Sequence, residues 1–317
     1  MRKIGGFMWL VFACSLTVWG QGTAPARVVV SMGHYYGREA PSLRASDLSV
    51  TQNNKPLTIT SLIPLRGDRA GLELFVLVDN CSSCEVGTKL NELSKFIAAQ
   101  ASTTSVGVAY IQDGQLQVAV APTLDRDRAI NALSPPGGSK PSSPYNALAD
   151  LIRGWKQGSS RRAVLMISTG LDPAAADPTS AQSKSAEAAI EAAQRAEVTV
   201  YAIYHPTADY AMSEFSKLYA GQIQLSHVAD ETGGEAYFLS FGPSSSIAPF
   251  LADIDQHLAN QYRLEFLANR GNAPGELREV EVKSKSPDFD LMAPYKIVIG
   301  GSSATGPKTT AAPAKTQ

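Results

Sequence analysis

Residues 72–85, LELFVLVDNCSSCE, decide the fold that we predict for this chain of 317 residues. The run from Leu72 to Val78 is almost wholly apolar and is bounded by polar residues, which is typical of a strand covered on both faces of a sheet. In open α/β sheets, ligands bind beyond the carboxyl ends of such strands. The residues with binding chemistry that follow this strand are Asp79, Cys81, Ser83 and Cys84.

Strand-like and helix-like segments alternate on both sides of this stretch, from residue 70 to residue 261. Strands are predicted at residues 72–78, 105–111, 115–121, 163–167, 198–204 and 236–240. Helices are predicted at residues 85–100, 126–133, 145–155, 181–196, 211–219, 223–231 and 246–259. The alternation predicts an α/β fold with a doubly wound, mainly parallel sheet and helices on both faces.

The two ends of the folded region have β character instead. Strands are predicted there at residues 27–32, 56–63, 262–268, 277–284 and 295–299. Because chain ends often lie close together, we predict a small β unit in which residues 26–66 pack with residues 262–299. The tail, residues 300–317, is rich in Gly, Ser, Thr, Ala and Pro, and we expect it to be disordered.

The N-terminus has the pattern of an export signal. Arg2 and Lys3 precede an apolar segment, residues 4–19, and small residues follow at plausible cleavage positions. We therefore predict that residues 1–20 are a signal peptide and that the protein is extracytoplasmic, either periplasmic or secreted. Two alternatives stay open, a retained membrane anchor or a lipid attached to Cys14, and only these would give the protein a membrane contact.

Removal of the signal leaves two cysteines, Cys81 and Cys84. Paired thiols in an oxidising compartment usually form a disulfide, so we predict a bridge between them. The alternative is a redox pair, because a helix dipole lowers the pKa of a thiol at the helix N-terminus. That alternative would make the protein an extracytoplasmic thiol-disulfide oxidoreductase.

Charge and motifs exclude several other functions. The formal net charge is -1 and the sequence has no long basic run, so we expect no nucleic-acid partner. No GxSxG motif, phosphate-binding loop or GxGxxG motif follows a strand, so we expect no small-molecule substrate. The histidines lack zinc-ligand spacing, and we interpret them as surface or second-layer residues; they are His34, His205, His227 and His257.

Residues 79–83, DNCSS, stand where von Willebrand factor A (VWFA) domains have DxSxS, the start of their metal-ion-dependent adhesion site. Three further segments resemble the acidobacterial VWFA-related family in the same order: a β segment at residues 42–50, ETGGEA at 231–236 and YRLEF at 262–266. The resemblance covers nearly all of residues 27–299. It implies a doubly wound α/β domain that binds partners and is not an enzyme.

The predicted ion site departs from the family pattern. Asp79 and Ser83 supply the hard oxygen ligands that Mg²⁺ prefers, but Cys81 places soft sulfur where the family has a hydroxyl. The resemblance puts the family's later threonine at Ser142 and its second aspartate at Thr169. One carboxylate therefore remains where the family uses two. We predict a degenerate site without a metal cofactor, the weaker alternative being Mg²⁺ held by Asp79, Ser83 and Ser142.

Asp172 is near enough in sequence to supply the missing carboxylate, but we interpret it as a solvated loop residue. The disulfide would then hold the loop that an ion organises in the family. The predicted function is an exported interaction module that contacts another protein or an envelope component. Its contact face would be formed by the loops at residues 79–84, 139–145 and 169–177, at the top of the sheet.

Overall fold

A computed structural model describes the chain from residue 22 to residue 300, with internal gaps. The described residues are 22–33, 41–79, 87, 89–112, 115–134, 143–156, 158–172, 183–206, 215–239, 245–271, 273, 275–287 and 289–300. The predicted signal peptide, Cys14, His34, the Cys81–Cys84 segment and the tail after residue 300 lie outside them.

Most long strands extend one or more residues beyond the bounds predicted from the sequence, whereas most of the helices are shorter than predicted. The strands are β1 (Thr23–Met32), β2 (Leu48–Gln52), β3 (Lys55–Pro56), β4 (Thr58–Pro64), β5 (Leu72–Asp79), β6 (Thr104–Gln112), β7 (Gln115–Thr123), β8 (Arg161–Ser168), β9 (Val198–Tyr204), β10 (Ala236–Phe238), β11 (Gln261–Asn269), β12 (Leu277–Glu279), β13 (Glu281–Ser284), β14 (Leu291–Met292) and β15 (Lys296–Val298). The helices are α1 (Leu90–Ala99), α2 (Arg126–Asn131), α3 (Pro144–Gly154), α4 (Lys184–Ala196), α5 (Phe215–Thr232) and α6 (Ala248–Ala259). Among these helices, none has both the length and the apolarity needed to cross a membrane.

The central sheet has six strands in the order β10-β9-β8-β5-β6-β7. Neighbouring strands from β10 to β6 are parallel, and β7 adds an antiparallel edge next to β6. The chain builds outward from β5 in one direction and then outward from β8 in the other. The predicted doubly wound, mainly parallel sheet is confirmed, and its strand order reverses between β5 and β8.

Both faces of this sheet are covered by helices, as the apolar strand patterns require. Leu74, Val76 and Val78 of β5 pack with α1, α2 and α6 on one face. Phe75 and Leu77 pack with α3, α4 and α5 on the other. Successive strand residues point to opposite faces, so a strand buried on both faces must be apolar throughout. Full burial of each such side chain stabilises the fold by about 1.5–3 kcal/mol.

The ends of the chain pair with each other, which confirms the predicted β unit. β1 pairs antiparallel with β11 along nearly its whole length, and β2 pairs with β13. A separate apolar cluster, which includes Val30, Leu48, Leu264, Phe266 and Val280, fills the unit. Arg161 joins this unit to the central sheet, since its Nη1 donates to the side-chain carbonyl of Gln261, the first residue of β11.

Several predicted bounds are wrong. The described residues of the segment predicted at 211–219 and the segment predicted at 223–231 belong to one helix, α5, which begins at Phe215 and continues through Gly221. The strand predicted at residues 277–284 is two strands, β12 and β13, and these pair with different partners, β15 and β2. Val280 between them is buried, so the chain changes sheets at a core residue.

Candidate functional site

The carboxyl ends of β5 and β8 meet at the point where the strand order reverses, the usual ligand position in doubly wound sheets. Asp79 ends β5 and Ser168 ends β8. The Ser168 hydroxyl donates a hydrogen bond of 2.8 Å to Oδ2 of Asp79. Asp79 is only 4% exposed, so this hydroxyl provides part of the polar contact that a buried carboxylate needs.

A second carboxylate lies at the same site. Asp172 is 2% exposed, and its Oδ2 accepts hydrogen bonds from the hydroxyls of Ser143, at 2.9 Å, and Ser185. The interpretation of Asp172 as a solvated loop residue is therefore wrong. The turn after β8 folds inward and brings the carboxylate beneath the ends of α3 and α4.

Hydroxyl groups hold this turn in shape. The amide of Gly170 donates to the Ser168 hydroxyl at 3.1 Å, and the amide of Leu171 donates to the Thr169 hydroxyl at 3.3 Å. Such local bonds are the usual way in which Ser and Thr stabilise turns. Thr169, which stands at the family's second aspartate position, thus supports the backbone of the turn.

Ser143 performs two tasks. It is the N-cap of α3, where its hydroxyl accepts from the amide of Asn146 at 3.4 Å, and it also donates to Asp172. A serine directly before a proline at the start of a helix is a recognisable cap signal in sequence. The resemblance pointed instead to Ser142, which lies outside the described residues.

Tyr145 is fully buried beneath the two carboxylates. Its hydroxyl donates to the carbonyl of Gly170 at 2.6 Å. Burial raises the pKa of Tyr145 well above its ordinary value, and the negative charges of Asp172 and then Asp79 raise it further. Both carboxylates therefore act on the same phenol, which stays protonated and ties α3 to the turn.

The backbone of α5 touches this turn directly. A Cβ atom on Gly221 would lie 2.2 Å from the carbonyl oxygen of Thr169, and one on Gly170 would lie 2.3 Å from the carbonyl oxygen of Gly221. Gly170 also has a φ of +68°, a conformation that favours glycine. Gly221 is thus a contact residue within the helix, which explains why the sequence-based prediction of a helix break there was wrong.

No protein-family profile and no curated protein matches the chain. Similar solved structures include a von Willebrand factor type A protein from Catenulispora acidiphila, with 10% identity, a TM-score of 0.44 and coverage of 89% of this chain and 75% of that one. An aerotolerance-related membrane protein from Bacteroides fragilis is similar over 59% of this chain and 98% of its own, with 16% identity and a TM-score of 0.44. The von Willebrand factor domain of the pilus tip protein Mfa5 from Porphyromonas gingivalis is similar at 10% identity and a TM-score of 0.43, over 59% and 94% of the two chains.

The sheet order described above is the doubly wound fold that the sequence resemblance implies. The resemblance to VWFA domains is confirmed as one of fold. Of the residues predicted for the VWFA ion site, the structure describes Asp79 and Thr169. Cys81, Cys84, Ser83 and Ser142 lie outside the described residues, so the disulfide and the degenerate ion shell stay predictions.

Of the described histidines, His205 lies next to this site, because its backbone amide donates to the carbonyl of Ser168 at 2.9 Å. His205 and His257 are buried, so a surface position is wrong for these two. His227 is partly exposed and its Nε2 lies 2.8 Å from Oε1 of Glu187, the distance of an ordinary ion pair or hydrogen bond. His257 belongs to a different cluster of carboxylates, which no spacing in the sequence suggested.

Proposed function

We propose that the protein is an exported, non-enzymatic interaction module that contacts another protein or an envelope component through the top of its central sheet. The observation that carries this proposal is the gathering of Asp79, Ser143, Ser168 and Asp172 where the strand order reverses. Buried hydrogen bonds fix these groups in one arrangement. We call these four residues the polar floor of the site. A rigid group of this kind positions the loops around it for recognition.

An exposed apolar surface lies on the outer side of α5, the helix that contacts the turn after β8. Tyr219 and Ile223 of α5 are 60% and 50% exposed. They flank Gly221 by two residues on each side and are four residues apart, so they share one helix face, turned away from the floor. Phe238 at the carboxyl end of β10 is 42% exposed. Exposed aromatic and aliphatic side chains near polar groups are common in protein contact surfaces.

The hydroxyls at the floor are poorly placed for nucleophilic catalysis. A catalytic serine needs an adjacent general base, most often a histidine. The hydroxyls of Ser143 and Ser168 donate to carboxylates that are themselves tied into the fold. The serine hydroxyls in the described part of the site thus donate to carboxylates and not to a histidine ring, which supports a binding function.

The proposal includes a degenerate ion site. The oxygens of Asp79 and Asp172 are hard ligands and suit Mg²⁺ in kind. However, Oδ2 of Asp79 and Oδ2 of Asp172 already accept hydrogen bonds from serine hydroxyls, and sulfur stands at position 81. The residues present therefore fit a Mg²⁺ shell only in part, and we propose that the contact surface does not depend on Mg²⁺.

Crosslinking and pull-down from the native envelope test the contact surface. We compare the exported wild-type protein with a Tyr219→Ser/Ile223→Ser variant and with a Val118→Ser/Leu124→Ser control. Val118 and Leu124 are 50% and 63% exposed and lie at the opposite edge of the sheet, on and just after β7.

We expect recovery of the crosslinked partner to fall about tenfold for the α5 variant, because interface anchors each contribute about 1 kcal/mol or more. The β7 control should recover the partner as the wild type does. Equal recovery from all three proteins, or a loss confined to the β7 control, would show that the partner binds elsewhere.

A further inference from the structure

Three ligand-type side chains converge on the face of the sheet that α1, α2 and α6 cover. Glu235 directly precedes β10, and Asp253 and His257 lie on α6. Their closest ligand atoms all lie within 4.8 Å of one another. The cluster stands at the amino end of β10, whereas Asp79 and Ser168 lie at the carboxyl ends of their strands. It is therefore separate from the site at the top of the sheet.

The distances within the cluster are unusual for hydrogen bonds between charged groups. Nε2 of His257 lies 3.3 Å from Oδ2 of Asp253 and 3.4 Å from Oε2 of Glu235. A charge-assisted N–H···O bond is usually about 2.7–2.9 Å long. The exposed pair His227–Glu187, at 2.8 Å, shows that ordinary geometry in the same molecule. One imidazole nitrogen thus stands at nearly equal, long distances from two carboxylates.

Those distances match the separations between ligand atoms around a metal ion with tetrahedral coordination. Zinc binds histidine nitrogen and carboxylate oxygen at about 2.0–2.2 Å, which places the ligand atoms of a tetrahedral site about 3.3–3.5 Å apart. The separations from His257 to the two carboxylates, 3.3 and 3.4 Å, are of this size. Three such ligands leave a fourth position for water or another ligand.

The side chains are carried by rigid elements. Asp253 and His257 are four residues apart on α6 and so lie on the same face of the helix. Glu235 follows Gly234, where a Cβ atom would lie only 2.0 Å from the carbonyl oxygen of Val200. The carbonyl of Glu235 also accepts from the amide of Ala202 in β9 at 2.9 Å. Backbone contacts therefore fix the position from which the Glu235 side chain extends.

Tyr237 orients both carboxylates. Its hydroxyl lies 2.9 Å from Oδ2 of Asp253 and 3.3 Å from Oε2 of Glu235. The phenol hydroxyl carries one proton, which it can donate to either of these carboxylate oxygens. Hydrogen-bond partners of this kind around metal ligands typically change metal affinity by about 10–100-fold when they are removed.

The cluster is closed on one side and open on the other. The His257 side chain is 1% exposed, whereas those of Glu235 and Asp253 are 23% and 20% exposed. A Cβ atom on Gly33, just after β1, would lie 3.3 Å from Cε1 of His257, so the β unit covers the imidazole. The partly exposed carboxylates give an ion a path from solvent.

We propose that Glu235, Asp253 and His257 bind one Zn²⁺ ion. The mixed nitrogen and oxygen ligands suit zinc better than Mg²⁺, which prefers octahedral oxygen shells. The bound ion would join the start of β10 in the central sheet to α6, the helix that leads into β11 of the β unit. This site does not depend on the proposed contact surface.

Zinc binding is measured on the whole chain by competition with a chromophoric chelator, after removal of bound metal by dialysis. We expect one equivalent of Zn²⁺ to bind, and Asp253→Asn and Glu235→Gln each to weaken binding at least tenfold. Tyr237→Phe should weaken it about tenfold. His227→Gln, which changes the ordinary ion pair with Glu187, is the matched control and should bind as the wild type does.

His257 is buried, and its replacement could unfold the protein. The test therefore uses variants of the partly exposed carboxylates, Asp253→Asn and Glu235→Gln. Circular dichroism of each metal-free variant confirms that it is folded. A second measurement replaces Zn²⁺ with Co²⁺, which should give the intense visible absorption of tetrahedral coordination. Wild-type protein that binds no Zn²⁺ at 1 mM, or zinc binding that is unchanged in both Asp253→Asn and Glu235→Gln, overturns the proposal.

Discussion

Asp79 and Asp172 accept hydrogen bonds of 2.8 and 2.9 Å from serine hydroxyls, whereas Glu235 and Asp253 lie 3.4 and 3.3 Å from one imidazole nitrogen. The first pair of carboxylates accepts hydrogen bonds of ordinary length from uncharged serine hydroxyls. The second pair lies at longer and nearly equal distances from the imidazole nitrogen, as we expect for ligands of the proposed zinc ion. Two carboxylate clusters in one protein can therefore differ in purpose although their residue types are similar, and the distances separate them.

The largest expected effect is a difference between two metal ions in thermal stability. At a free Zn²⁺ concentration 1,000 times the dissociation constant, binding should stabilise the metal-free protein by about 4 kcal/mol. That corresponds to a rise in Tm of about 8 °C or more. Millimolar Mg²⁺, or EDTA added to metal-free protein, should leave Tm nearly unchanged. A rise of several degrees with Mg²⁺ would break the comparison, because it would show a working ion site at Asp79 and Asp172.

Asp255 is a second acidic residue of α6 and is not a proposed zinc ligand. Its replacement therefore tests whether zinc binding depends on the charge of the helix or on the three-residue cluster. Burial raises the pKa of Asp255 to about 6, although Gln100 donates to it at 2.6 Å. The unfolded value is about 3.9, so the folded protein binds the proton more tightly and loses stability as the pH rises through about 6. Asp255→Asn should therefore raise the free energy of unfolding by about 2–3 kcal/mol at pH 8 and by little at pH 4.

Urea unfolding at the two pH values measures this effect. Asp150→Asn, which changes an exposed carboxylate of α3, is the control. Zinc affinity at pH 8 should be the same in Asp255→Asn as in the wild type, since Asp255 is not a proposed ligand. A tenfold loss of zinc affinity in this variant would mean that the total negative charge of α6, and not the three-residue cluster, attracts the ion.

A single methyl group added at the top of the sheet is expected to lower the stability of the protein. Gly221→Ala places a carbon against the carbonyl oxygen of Thr169, and the helix must shift to make room. We expect a loss of about 1–3 kcal/mol in the free energy of unfolding. Gly154→Ala is the matched control, because nothing lies within 4 Å of the Cβ that it adds. Zinc binding should be unchanged in both variants, as the two clusters are separate.

The smallest expected effect comes from Ser143. Ser143→Ala removes the cap of α3 and one proton donor to Asp172. We expect a loss of about 1 kcal/mol, measured by urea unfolding. Ser94→Ala is the control, because the Ser94 hydroxyl only returns to the carbonyl of Leu90 in its own helix. If both variants were equally stable, the hydroxyl contact to Asp172 would contribute nothing to the floor of the site.

The central sheet could be predicted from the sequence because each of its long strands shows its pattern in consecutive residues. A strand buried on both faces must be apolar at successive positions, and the bounds predicted for β9, residues 198–204, match those observed. The short strand β14 was not predicted, and β2 was indicated only by the family resemblance at residues 42–50, because two to five residues give little periodicity. Their pairing depends on distant partners, β13 and β1.

The sites were harder to predict because their contacts join distant parts of the chain. Asp172 looked like a loop acid because nothing near it in sequence shows that Ser143 and Ser185 reach it. Only the Asp253–His257 pair of the second cluster has a spacing visible in the sequence, and Glu235 comes from another element. Zinc motifs built on cysteine and paired histidines do not include such a set.

The pairing of β1 with β11 has a consequence for how the protein is made. Residues 23–31 face residues 261–269, and the six-stranded sheet and its helices are encoded between them. Domains generally fold from the N-terminus as the chain is synthesised, so β1 emerges long before its neighbour exists. Until then it presents an unpaired strand edge, the usual starting point of aggregation. The central sheet can complete itself from nearer partners during this interval, and the last strands then close the protein at the end of synthesis.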